Sequence, residues 1–422
     1  MTSPGVAGPR VGLFGLLGSG NVGNDASLEA VLAYLRADHP DAVIDAMCMG
    51  PGRVRSQYGI EAIPLQWYKA REDRHSGWAA AVLKATGKGL DAWRTLAWVR
   101  RHDAVIVPGM GVLESSLPPK ASGFPYAMFL LGVAGKVSRT KVALVSVGAT
   151  MIKQRLIRQF FDIAARTAYY RSYRDDQSRE NMRRRGLDVS GDPVYPDLVF
   201  SLPVPDCGPG DPQIVGLGVM AYHGTNDHRG QAADIHAAYL ADMKRFARWL
   251  VDRGRQIRLT VGDGPDNAIA DEIVADLRAY RPDLELSWAV AEPVASFADL
   301  ASAMAPVSLV VATRYHNVIC ALRLGKPVIS LGYSAKNQAV MAGTGLAEFC
   351  QVAHTLDVDL LTEQFTALEQ QSAQLRETII AGNAASAARL REQFTALSAL
   401  LFPGSGPARR PARGQVRQHS RA

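Results

Sequence analysis

The chain has 422 residues, too many for one ordinary core, so two domains are expected; with 47% hydrophobic and 21% charged residues it is not a globally disordered chain. Its formal charge of +7 owes five charges to Arg409, Arg410, Arg413, Arg417 and Arg421, in a stretch after Pro403 without acidic residues. The rest carries about +2 and lacks the basic and aromatic interleaving that stacks bases, so nucleic acid is not an expected partner.

Met1 to Arg10 has no apolar run of the signal-peptide kind, and a first strand is predicted almost at once, over Val11–Leu16. Further short apolar, β-branched runs follow at Val43–Cys48, Ala104–Pro108 and Lys141–Val147, alternating with longer amphipathic stretches. This is the βαβ pattern of a parallel sheet with helical crossovers. In the stretch after the first strand Leu28, Val31, Leu32 and Leu35 recur at helical spacing and predict one buried stripe. The longest apolar stretch, Phe124–Val137, is broken by Pro125, Gly132, Gly135 and Lys136 and is shorter than the roughly 20 residues of a membrane-spanning helix, so a buried helix is expected there.

Leu202–Pro212 holds four prolines and two glycines, which places a domain boundary near residue 205. A second βα series begins with Ile214–Met220 and continues through Gln256–Val261, Val307–Ala312 and Pro327–Leu331. The fold class is therefore α/β, with two Rossmann-like, doubly wound domains (1–205 and 206–402) facing a cleft, the GT-B-like arrangement. From about Leu360 to Leu401 a composition rich in alanine, leucine and glutamine predicts helices that pack back across both domains, and 403–422 reads as a disordered basic tail. Cys48, Cys207, Cys320 and Cys350 lie far apart with no C-x-x-C pair, so neither a zinc site nor a disulfide framework is expected and a reducing cytoplasmic setting fits.

Four segments can carry chemistry. Gly15-Leu16-Leu17-Gly18-Ser19-Gly20-Asn21-Val22-Gly23-Asn24-Asp25 is a glycine-rich turn from strand to helix, where free N–H groups can attract an anion; equally it is a tight turn with Asn24 or Asp25 as the helix cap. It does not have the dinucleotide spacing, although Asp45 near the second strand keeps a nicotinamide site in view. Gly109-Met110-Gly111 follows the strand Ala104–Pro108 and should share a rim with the first loop, so Gly18, Gly20, Asn21, Gly109 and Gly111 are candidate cleft-lining residues. In Tyr173-Arg174-Asp175-Asp176-Gln177-Ser178, Arg174 stands at a strand's end, placed to grip a carboxylate or phosphate or to pair with a local acid. The most informative segment runs from Val310 to Lys336. A buried strand delivers Arg314 and His316 to a helix start, and the next strand delivers Lys336 beyond its own end, an arrangement suited to a multiply charged anion.

With these segments in order, from Gly18-Ser19-Gly20-Asn21-Val22-Gly23 through Gly109-Met110-Gly111, Arg174-Asp175-Asp176-Gln177-Ser178 and Tyr195-Pro196-Asp197 to Arg314-Tyr315-His316 and Tyr333-Ser334-Ala335-Lys336, the sequence resembles the polysaccharide pyruvyltransferase family. Where that family usually has Gly-Asp-Glu and Gly-Gly, this chain has Gly23-Asn24-Asp25 and Gly109-Met110-Gly111, departures on the acceptor side. The resemblance implies phosphoenolpyruvate as donor, a sugar in a glycan or lipid-linked saccharide as acceptor, and Arg174, Arg314, His316 and Lys336 around the donor. His316 is the natural general acid and the other three the clamp, and the chemistry asks for no metal or redox cofactor.

Two other readings stay open. Val261-Gly262-Asp263-Gly264-Pro265 after a strand suits a nucleotide-sugar glycosyltransferase of the same architecture, but after His316 the next acid is Glu348, far past the strand end where a ribose-binding carboxylate is needed. A non-catalytic glycan-binding relative is the third class, opposed by the intact Arg314, His316 and Lys336 set. The segment Trp67–His102, with Trp67, Trp78, Trp93 and Trp98 among basic residues, either rests on the inner face of an anionic membrane or packs as a helix with a solvated outer face, the latter preferred.

Overall fold

The computed structural model describes residues 8–67, 77–114, 120–224, 226–262, 264–283, 294, 296–333 and 335–403. The first half runs β1 (Arg10–Gly15), α1 (Val22–Asp38), β2 (Val43–Cys48), α2 (Pro51–Tyr58), β3 (Glu61–Pro64), α3 (Gly77–Val99), β4 (Ala104–Pro108), α4 (Phe124–Ser138), β5 (Lys141–Val147), α5 (Arg155–Thr167), β6 (Tyr170–Tyr173) and α6 (Asp176–Arg184). The second runs β7 (Asp211–Gly218), α7 (Ala232–Asp252), β8 (Gln256–Thr260), α8 (Asp266–Tyr280), α9 (Phe297–Met304), β9 (Val307–Ala312), α10 (Tyr315–Arg323), β10 (Val328–Gly332), α11 (Ala335–Gly343), β11 (Cys350–Val352), α12 (Val358–Gln370) and α13 (Ser372–Leu401).

The strands order as β3-β2-β1-β4-β5-β6 and β11-β10-β9-β7-β8, and every pairing is parallel. Both sheets carry helices on their faces, so their central strands are buried on both sides and read as largely apolar runs, such as Ala104–Pro108 and Val328–Gly332. The order reverses between β1 and β4 in the first sheet and between β9 and β7 in the second. Ligand crevices of open α/β sheets form outside the carboxyl ends of strands at such switch points. The glycine loops follow β1 and β4, and Arg314 and His316 follow β9, so the candidate segments start from the two switch points.

The stripe Leu28, Val31, Leu32 and Leu35 is buried as expected. The helix expected over Phe124–Val137 forms as α4, but only one face is covered: Leu131 is buried while Val137 is exposed. Helix α13 extends about 45 Å at 1.5 Å per residue and touches both halves. In the second, Arg376 donates to the carbonyls of Leu324 and Gly325 and Asn383 to those of Leu322 and Arg323, satisfying the carboxyl end of α10. In the first, buried Gln393 accepts from the Ser146 hydroxyl at 3.0 Å and donates to Ser172 Oγ at 2.8 Å. Tyr34 stacks on Phe394 and hydrogen-bonds Ser398, and Lys141 donates to the carbonyls of Leu400 and Leu401.

Of the tryptophan-rich segment, Trp98 is buried against Gly12 and donates to Asp45 at 2.6 Å, whereas Trp93 faces outward. Helix α3 thus packs on the sheet through one face; residues 68–76 lie outside the described residues, as do 404–422. No helix among the described residues is long and apolar enough to cross a membrane.

Candidate functional site

The turn after β1 wraps a carboxylate of its own chain. Gly18 has φ +69°, a conformation that suits glycine, and its N–H donates to Asp25 Oδ1 at 2.7 Å. Asp25 is fully buried, and burial raises its pKa against the lowering effect of the Gly18 hydrogen bond and of Arg53. The anion expected at this loop is thus matched by an internal one. The cap of α1 is Asn21, whose side chain accepts from the N–H groups of Gly23 and Asn24; Asn24 and Asp25, the expected caps, already stand in the first turn. Asp45 is no ribose ligand: it pairs with Gly12 in mid-strand, and its carboxylate is held by Trp98 Nε1 and by His102 Nε2 at 3.1 Å.

After β4 the chain turns sharply through Gly109 and Met110, both at positive φ. Buried Met110 packs toward Gly15, Gly148 donates to the Met110 carbonyl at 2.8 Å, and Leu113 donates to that of Gly148 at 3.0 Å. This lacing brings Glu114 back over the sheet, and Glu114 receives Arg174 Nη2. A Cβ at Gly111 or Gly148 would press on the Glu114 carboxylate, and at Gly148 also on the Arg174 guanidinium, so both glycines leave room for the pair.

Arg174 lies at the end of β6, its side chain only 2% exposed, with Asp175 at 3.6 Å, Asp197 at 3.9 Å and its guanidinium 5.2 Å from the Tyr315 ring centroid. Asp175 caps α6 through Ser178 N–H, and Asp197 caps the 3-10 turn Leu198–Ser201 through Val199 N–H. From the second half Lys336, in the first turn of α11, reaches the other Glu114 oxygen at 3.7 Å and also lies over the Tyr315 ring. Burial raises the Glu114 carboxyl, but the charges of Lys336 and Arg174 outweigh it and hold the group below its usual range.

Arg314 at the start of α10 is held by Asp266, a fully buried carboxylate at the start of α8, through Nε at 2.8 Å and Nη2 at 2.7 Å. Asp266 also accepts from the N–H of Ala221 at 2.9 Å. The guanidinium is fixed in orientation, and its charge is matched before any ligand arrives. His316, two residues on, crosses to the first half: a Cβ on Gly23 would fall on its imidazole ring. Its Nε2 is closed from solvent and has no hydrogen-bond partner among the described residues. Burial first, then the positive charges of Lys336, Arg174 and Arg314, push its pKa down to about 3, so the ring is neutral at pH 7.

Arg174, Lys336 and Tyr315 also line a cavity of about 390 Å³, together with Tyr195, Phe200 and Arg389 of α13; His316 and Arg314 do not line it. Of the four residues expected at the donor, Arg174, Arg314 and Lys336 thus act electrostatically on His316, while only Arg174 and Lys336 line the cavity. Sequence reasoning missed Glu114 and Asp266. Each belongs to a glycine-containing turn that had drawn notice, but each partner lies 60 or 48 residues away, beyond any local pattern.

Two parallel α/β halves whose switch points face one another define a GT-B-like protein. Solved structures share this fold. A Listeria monocytogenes protein described as a UDP-N-acetylglucosamine 2-epimerase aligns with TM-score 0.58 at 14% identity over 93% of this chain and 96% of its own. Anabaena HepE in complex with UDP and glucose aligns with TM-score 0.55 at 13% identity over 92% and 100%. The lipopolysaccharide outer core galactosyltransferase WaaB aligns with TM-score 0.51 at 12% identity over 93% and 99%. No protein with a curated description matches the chain. The family model for polysaccharide pyruvyl transferase matches residues 21–335, from the cap of α1 to the start of α11, and the chain belongs to that family of transferases.

Proposed function

We propose that the protein moves the enolpyruvyl group of phosphoenolpyruvate onto hydroxyls of a sugar in a glycan or lipid-linked saccharide, forming a pyruvate ketal and releasing phosphate. The observation that carries the reading is the His316 imidazole seated across the cleft against Gly23 with its Nε2 unpartnered among the described residues, under the combined field of Arg174, Arg314 and Lys336, which pushes its proton affinity down. The three positive charges are already set against carboxylates, Glu114 for Arg174 and Lys336 and Asp266 for Arg314, and a phosphoenolpyruvate trianion brings further negative charge beside His316, which raises its proton affinity.

With the donor held, His316 gives its proton to the methylene carbon, the C–C double bond becomes a single bond, and a cation develops at the carbon bearing the phosphate ester. A sugar hydroxyl adds there and loses its proton. A second hydroxyl then replaces the phosphate by C–O cleavage, which closes the ketal. The positive ends of α1 and α10 and the fixed guanidinium of Arg314 favour the departing phosphate.

The test is phosphate release with phosphoenolpyruvate and a panel of glycosides, products being read by mass spectrometry, for wild type and for His316→Ala and His316→Asn. Both variants should melt near wild type and lose transfer by about 10²–10⁴. Turnover near wild type in His316→Asn, which cannot protonate carbon, would remove the acid role; release from UDP-sugars but not from phosphoenolpyruvate would replace the donor.

A further inference from the structure

Glu114 holds a position that a ligand would be expected to hold. One oxygen receives Arg174 from the first half and the other faces Lys336 from the second at 3.7 Å, so the carboxylate bridges two cations on opposite sides of the cleft. Room for it is built in, since side chains at Gly111 and Gly148 would fill that space. Among the described residues it is the one carboxylate within ion-pair distance of both cations; Asp175 and Asp197 lie 3.6 and 3.9 Å from Arg174 and also serve as helix caps, and the Tyr315 ring lies beneath both cations. The two cations open on the 390 Å³ cavity, so an incoming molecule can reach them.

We propose that Glu114 is the resident occupant of a carboxylate subsite formed by Arg174 and Lys336, and that the donor's own carboxylate enters by displacing it. A planar group with two oxygens, one for each cation, is what the geometry accepts, and the carboxyl end of phosphoenolpyruvate has that shape. Glu114 then acts as an internal competitor: it neutralises the clamp while the site is empty, keeps the two cations from repelling each other, and sets how strong an anion must be to enter. This rests on the reading of the site as a phosphoenolpyruvate site, but pyruvate, which has the carboxylate and no phosphate, tests the subsite separately.

Binding of pyruvate, inorganic phosphate and phosphoenolpyruvate is measured by calorimetry for the full chain and for Glu114→Gln, with Glu114→Asp, one methylene too short to span both cations, as the second variant. Removing a charged competitor should tighten pyruvate and phosphoenolpyruvate by roughly tenfold in Glu114→Gln and by less in Glu114→Asp. The ligand-free Glu114→Gln protein should melt below wild type, and saturating phosphoenolpyruvate should raise its melting point by more than it raises that of wild type. Equal or weaker pyruvate binding in both variants would overturn the proposal and make Glu114 a positioning residue for Arg174. Tightening of phosphate alone would overturn the carboxylate assignment. If pyruvate tightens but phosphoenolpyruvate never binds, the competitor stands and the donor reading fails; if no anion binds any form, both fall.

Discussion

His316 of the second half packs against Gly23 of the first, and Gly23→Ala tests that contact with one methyl group. Gly23 is the second residue of α1, and its φ is not in the left-handed region, so alanine is acceptable to the backbone and by helix preference alone should stabilise by about 0.5–1 kcal/mol. Against this, the new Cβ falls on the imidazole ring. Overpacking at a closed site costs about 1–3 kcal/mol, so if His316 stays the protein loses up to about 2 kcal/mol. If the ring swings away, stability is kept and the loss appears in transfer, by about 10²–10⁴ when the acid no longer reaches the substrate. Phosphate release and a melting curve separate these cases. In a His316→Ala background the same methyl should be harmless, and the double-mutant cycle should return a coupling of about 0.5–3 kcal/mol. A Gly23→Ala protein with unchanged turnover and unchanged melting point would refute the contact as described.

The remaining expectations concern charge. Because the His316 pKa is held down to about 3, the unfolded chain binds a proton there between its ordinary 6.5 and about 3 that the folded one does not. Stability from this group is therefore full above pH 6.5 and falls as pH drops through that window, and His316→Ala should flatten that limb of a pH series of melting points. Phosphoenolpyruvate binding should take up a proton at neutral pH, seen as a dependence of the binding heat on the buffer's ionisation heat; no dependence would contradict the recharging of His316. Arg314→Ala leaves Asp266 buried without its guanidinium and should cost about 3–5 kcal/mol in denaturant unfolding, whereas a purely ligand-directed arginine would change donor affinity and leave stability alone.

Much of the frame was legible because parallel strands buried on both faces are written as apolar runs, and the eight runs read from the sequence correspond to β1, β2, β4, β5, β7, β8, β9 and β10. The edge strands β3 and β11, four and three residues long, carry too little pattern to stand out. The placement of Arg174, His316 and Lys336 at turns between strand and helix was legible because charged groups there break an apolar context. What fills the space between them was not. Glu114 and Asp266 take their meaning from partners brought by other strands, and the role of Gly23 depends on a ring almost three hundred residues later in the chain. The glycine loop misled in the opposite sense: its anion is Asp25, seven residues after Gly18 and hidden in plain sequence.

Helix α13 also governs the order in which the molecule can be assembled. The residues that cover Tyr34 and engage Ser146 and Ser172 come from positions 393–398, so a nascent chain that has completed all six strands of the first sheet still exposes an aromatic face and lacks the amide that joins those two serines. Closure of the first half waits for the synthesis of the second, through contacts more than two hundred residues apart in sequence. A fragment ending near residue 205 should be sticky and loosely packed, and supplying residues 372–403 as a separate peptide should restore its order more effectively than any substitution within the fragment.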